Sequence, residues 1–99
     1  MADQMARAQL LMAQQRYELA EQELRRLIGE HPEHALAFAC LAICIANDPQ
    51  RNQEATDAAQ RAVHLEPDEP FCFYALSSVL QKRNHFKEAL QQINEAIRL

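Results

Sequence analysis

The chain has 99 residues, enough for one domain or a short repeat array. Its single glycine argues against an all-β fold, whose tight hairpins lean on glycine for positive φ, and the abundant Ala, Leu, Gln, Glu and Arg are good helix formers. A net charge of -4, with Lys and Arg scattered singly or in pairs, provides no cationic face to displace counterions from phosphate, so no nucleic acid is expected as a partner.

In chain order, the first predicted helix covers 3–14 and is built around Ala8, with Gln4 and Arg7 where the later units carry large apolar residues; fraying is expected at its start. The second, 17–30, shows Tyr17, Ala20, Leu24 and Leu27 at helical spacing. Pro32 ends it, because proline disfavours helix in the residue before it. His31 and His34 flank that proline and are expected to be solvated rather than bound to zinc. The third helix, 34–47, contains the longest apolar run, Ala35 to Ala46. That run is roughly half the ~20 residues that a bilayer crossing needs, so it reads as a buried helix. Its stripe is Phe38-x-x-Leu41-Ala42-x-x-Ile45. Cys40 and Cys44 lie one turn apart, a spacing that could bring two thiolates to one metal, yet two further ligands are missing. Together with Cys72 they make an odd count without a basic-then-apolar leader, which points to free, reduced thiols in a cytoplasm.

The Asn47-Asp48-Pro49-Gln50 turn must absorb one extra residue, since Ile45 to Ala55 is one longer than Leu80 to Ala89. The fourth helix, 52–65, places Asn52 and Ala59 in slots that favour aromatics, so its hairpin has a thin core that Phe71, Phe73 and Tyr74 are near enough to fill. Pro67 closes it. The fifth, 69–82, starts at Asp68 and Glu69 as capping acids with Pro70 in its first turn, and repeats the stripe as Phe73-x-x-Leu76-Ser77-x-x-Leu80. The sixth, 86–98, runs through Phe86, Ala89, Ile93 and Ala96.

Small residues thus recur in register: Ala8, Ala42 and Ser77, then Ala20, Ala55 and Ala89. Such residues let two helix backbones approach closely. This pattern resembles the tetratricopeptide repeat (TPR), whose period is 34 and whose marks run W-x-x-L-G-x-x-Y, A-x-x-x-F, P. The resemblance covers the whole chain and implies an all-α, right-handed superhelical stack of three antiparallel helix hairpins. The repeats fall at about 1–34, 35–69 and 70–99, in what reads as the N-terminal piece of a longer array.

The resemblance also implies that the first helix of each hairpin lines a concave face. The groove expected there comprises Met5, Gln9, Met12, Leu36, Cys40, Ile43, Phe71, Tyr74 and Ser78, and it is mostly apolar. Family members that grip a chaperone's C-terminal carboxylate use lysine, asparagine and arginine; the matching slots here hold Met5, Gln9, Cys40, Phe71 and Ala75. Without a cation no carboxylate clamp forms, so that partner is excluded. The competing reading is that Leu36, Phe71 and Tyr74 pack on one another as ordinary core. No Ser-His-Asp set, glycine-rich phosphate loop or His-Glu-x-x-His is present, and no cofactor is expected. The function expected is a non-catalytic protein or peptide scaffold. The alternative is a structural segment of a longer solenoid that self-associates through Val79, Leu90, Ile97 and Leu99, most simply by a twofold contact.

Overall fold

A computed structural model describes residues 2–99, with side chains from residue 4 onward. The first helix, expected from residue 3 with a frayed start, is helical from Ala2, and Met1 lies outside the described residues. Six α-helices follow in order: α1 (Ala2–Ala13), α2 (Tyr17–Glu30), α3 (Ala35–Ile45), α4 (Asn52–Leu65), α5 (Pro70–Lys82) and α6 (Phe86–Arg98). Each pair, α1/α2, α3/α4 and α5/α6, forms an antiparallel hairpin, and the hairpins stack in chain order through α2 on α3, and α3 and α4 on α5. The stack measures 34 × 28 × 20 Å. Every helix agrees with its sequence expectation to within two residues.

The small-residue register sets the crossings. Ala8, Ala20, Ala42, Ala55, Ser77 and Ala89 are all buried, as backbones that approach this closely require. At the third crossing the Ser77 hydroxyl donates to the Ala89 carbonyl across the hairpin at 2.9 Å, so the substitution of serine for alanine leaves no orphaned polar group.

Two kinds of turn join the helices. Within the first and third hairpins the turn is a three-residue Schellman closure. Arg16 N–H reaches back to the Leu11 carbonyl and His85 N–H to the Leu80 carbonyl, with Gln15 (φ 61) and Asn84 (φ 64) in the left-handed region. The second hairpin absorbs its extra residue differently. There the chain forms a 3₁₀ turn over Pro49–Arg51, opened by Gln50 N–H donating to Asp48 Oδ1. Between hairpins the chain repeats itself closely: His31 (φ −136, ψ 81) and Glu66 (φ −135, ψ 77) hold nearly identical extended angles, each immediately before a proline.

Glu69 caps α5 by accepting from Phe71 N–H at 3.4 Å, as its sequence suggests. His34 corrects one expectation. It is half-buried and caps α3, its Nδ1 accepting from Ala37 N–H at 3.2 Å, rather than standing solvated beside Pro32. Among the described residues no helix is long and apolar enough to cross a membrane.

Candidate functional site

Three surfaces offer themselves: the groove along α3 and α5, the junction between the first two hairpins, and the outer face of the third.

On the groove, the structure divides the expected residues into two groups. Leu36, Ile43, Phe71, Ser78 and Met12 are half-buried and Gln9 is exposed, so these can meet a partner. Met5 and Cys40 are buried and cannot. Both belong to the main core, which runs continuously from the first hairpin into the second. The hairpin beside each side chain takes it out of the groove.

Tyr74 is 53% exposed, yet it occupies the slot of Met5 and Ala39, both buried. Those two are covered by the next hairpin in the stack. Tyr74 therefore stands at the border between the groove and the outer face. Its ring lies 6.0 Å from that of half-buried Phe71, tilted by 31°. Phe71 in turn packs against both apolar clusters, so it is part core and part surface, between the two readings the sequence allows.

Leu36 also borders a cleft of about 460 Å³ between the starts of α3 and α5. Glu33, Glu66 and Glu69 wall it, and no ion pair among the described residues engages any of them. At the opposite end of the same helices Lys82 Nζ donates to Asn47 Oδ1 at 3.2 Å. The groove is therefore acidic at one end, apolar along its length and neutral-to-basic at the other.

The junction between the first two hairpins is held by a network that sequence reasoning missed. Arg51 donates to both oxygens of Glu21 at 2.9 and 2.6 Å, a fork-to-fork pair across 30 residues of chain. Arg51 also reaches Glu54 at 3.0 Å, while Arg25 bridges Glu21 at 2.8 Å and Glu54 at 2.6 Å. The Arg51 hydrogen bonds hold the Glu21 carboxyl well below its usual range, at about 2; burial opposes the shift and Arg25 adds to it. A second tie joins the next hairpins: Arg83 Nη1 donates to the Thr56 hydroxyl at 2.8 Å. No local motif marks the Arg51–Glu21, Arg25–Glu54 and Arg83–Thr56 pairs, because each joins residues from different repeats; Arg25–Glu21 and Arg51–Glu54 are local, at i,i+4 and i,i+3.

The cysteines do not form a site. Burial pushes the Cys44 thiol up to about 12 and those of Cys40 and Cys72 to about 11, with neighbouring acidic groups and thiols adding to the effect. All three are free and buried, where they fill space as small hydrophobes. Among the described residues no group of three or more His, Cys, Asp and Glu side chains could hold a metal.

On the outer face, Leu90 is 60%, Ile97 77% and Leu99 50% exposed, but Val79 is not part of this edge. Val79 is fully buried because its slot, shared with Cys44, faces the hairpin before it rather than the one after.

No family model matches the chain, and no curated protein resembles it. Solved structures do. MamA from residue 41 to its end, from Desulfovibrio magneticus RS-1, superposes with a TM-score of 0.82 at 23% identity, over 97% of this chain and 54% of that one. The MamA RS-1 ArsTM double mutant gives 0.80 at 22% identity, over 96% and 53%. A MamA MSR-1 structure gives 0.76 at 22%, over 96% and 54%. The fold is a TPR-type α-solenoid. The chain spans about half the length of the chains it matches.

Proposed function

We propose that the protein is a non-catalytic scaffold that holds an apolar peptide or helix along α3 and α5. The observation that carries this reading is the half-exposed row Leu36, Ile43 and Phe71, opening at Leu36 onto a cleft walled by three glutamates that make no ion pair among the described residues. The apolar row supplies adhesion and the acidic cleft supplies direction: a partner fits with a basic residue at the start of α3 and α5. The five large side chains left open, Met12, Leu36, Ile43, Phe71 and Tyr74, present on the order of 250 Å², worth roughly 6 kcal/mol before association entropy. After that entropy the affinity falls in the micromolar class or weaker.

The test is anisotropy of a labelled amphipathic helical peptide about four turns long, ending either in two lysines or in two glutamates. The lysine form is expected to bind, Leu36→Asp to abolish binding, and the glutamate form to bind at least tenfold more weakly. Equal binding of both forms, or binding indifferent to Leu36→Asp, would contradict the groove.

A second reading has its own support. Leu90, Ile97 and Leu99 lie open on the outer face of the third hairpin, and self-association through that face would cover them.

A further inference from the structure

The two outer faces of the stack are built to fit each other. Inside the molecule, the second hairpin meets the third through small residues: Ala35, Ala39 and Ala62 on one side, Cys72 and Ala75 on the other, with half-buried Val63 and Leu65 packed around them. The repeat register carries each side of this junction to one free face. On the third hairpin, Tyr74, Ala96, Ile97 and Leu99 occupy the slots of Ala39, Ala62, Val63 and Leu65. On α1, Ala6 and Leu10 occupy the slots of Ala75 and Val79, which are both buried against the hairpin before them. Leu10 is instead 59% exposed, and Ala6 is exposed as well. An apolar side chain and a close-approach alanine thus stand in water on α1, in slots that the next two repeats bury.

We infer that two copies of this chain stack head to tail, α1 of one seated on the α5–α6 face of the other, continuing the solenoid across the boundary. This rests on the self-association reading above and replaces the twofold contact expected from sequence. A twofold contact would pair α6 with α6 and leave Leu10 in water; the head-to-tail contact covers both faces and uses the packing found between the second and third hairpins. Such a contact is heterologous and does not close, so assembly is open-ended. The exposed side chains on the α5–α6 face amount to roughly 300–400 Å², the size of a large patch on a monomer. With its rim and the matching α1 surface the contact reaches about 1,000 Å², the low end for a specific interface, which sets assembly in a weak concentration range.

Sedimentation velocity on the chain, from roughly 10 μM to 1 mM, tests this. The average mass is expected to climb without a plateau at the dimer. Leu10→Asp and Ile97→Asp change exposed residues and are expected to keep the helical circular dichroism of the parent. Each alone should be monomeric, and an equimolar mixture should give a two-chain complex, one partner contributing the intact α1 and the other the intact α5–α6 face. If Leu10→Asp still self-associates while Ile97→Asp does not, the contact is twofold and only the head-to-tail geometry fails. If the mixture stays monomeric while the parent assembles, head-to-tail stacking is again overturned. A parent chain monomeric at the highest concentration overturns self-association altogether.

Discussion

Helices α4 and α6 are the same element of the repeat, yet they are buried to very different extents. In α4 five residues are buried: Ala55, Thr56, Ala58, Ala59 and Ala62. In α6 only Ala89 is, although the slots of Thr56 and Ala59 hold the larger and more apolar Leu90 and Ile93. The difference lies in the neighbour. α4 is sandwiched between α3 and α5, whereas α6 packs chiefly on α5 and its second side is open. In the covered α2 the slots of Ala59 and Ala62 hold Leu24 and Leu27, both fully buried, so burial of a slot follows from the neighbouring hairpin and not from the residue type alone.

The sharpest way to break that contrast is to enlarge the same slot in both helices. Ala62→Leu should cost about 2–3 kcal/mol, because α4 cannot move away from α5 without opening the junction. Ala96→Leu should stay within about 0.5 kcal/mol, since half-buried Ala96 has solvent on one side. Equal costs in urea unfolding would show that cover does not decide the tolerance. Hydrogen exchange sharpens the contrast without mutation. α6 amides should exchange about tenfold faster than those of α4 in dilute protein, by local opening of the outer hairpin. Protection of α6 that rises with concentration would report the face being covered.

The network at the first junction makes a third test. Glu21→Gln should cost roughly 1 kcal/mol at pH 7, less than full linkage would give, because Arg51 and Arg25 remain partly solvated. The Glu21 carboxyl is depressed from 4.5 to about 2 in the folded protein, so its contribution is complete above pH 4.5 and fades as pH falls toward 2. The parent and Glu21→Gln should therefore converge in stability near pH 2; a gap that persists there would place the effect in packing. α6 has Leu90 in the Glu21 slot, and its one arginine–carboxylate pair, Arg98 with Glu95, stays within the helix. Least in size, Gln15→Gly should stabilise by about 0.5–1 kcal/mol by relieving positive φ at a non-glycine residue, and Asn84→Gly by a few tenths, since asparagine tolerates that region. Thermal melts that fail to rank the two in this order would deny the strain.

Most of the fold was legible because its determinants are local. Ala20, Ala55 and Ala89 announce three close crossings, Pro32 and Pro67 end two helices, and the longer interval before Ala55 locates the 3₁₀ turn. The site was less legible because it depends on neighbours. Val79 and Tyr74 sit on one apolar helix, and only the position of the adjoining hairpin decides that the first is sealed and the second open. Cys40 and Met5 left the groove for the same reason. The Arg51–Glu21 and Arg83–Thr56 ties could not be found from spacing, since nothing in either repeat alone specifies the other's partner.

The paired angles at His31 and Glu66 have an engineering consequence. The backbone turns by the same angles before the proline of each inter-hairpin link, while the irregular Asn47–Arg51 turn lies at a hairpin tip, away from those links. A gene carrying residues 35–69 twice is therefore expected to encode a longer rod, its length programmed by copy number.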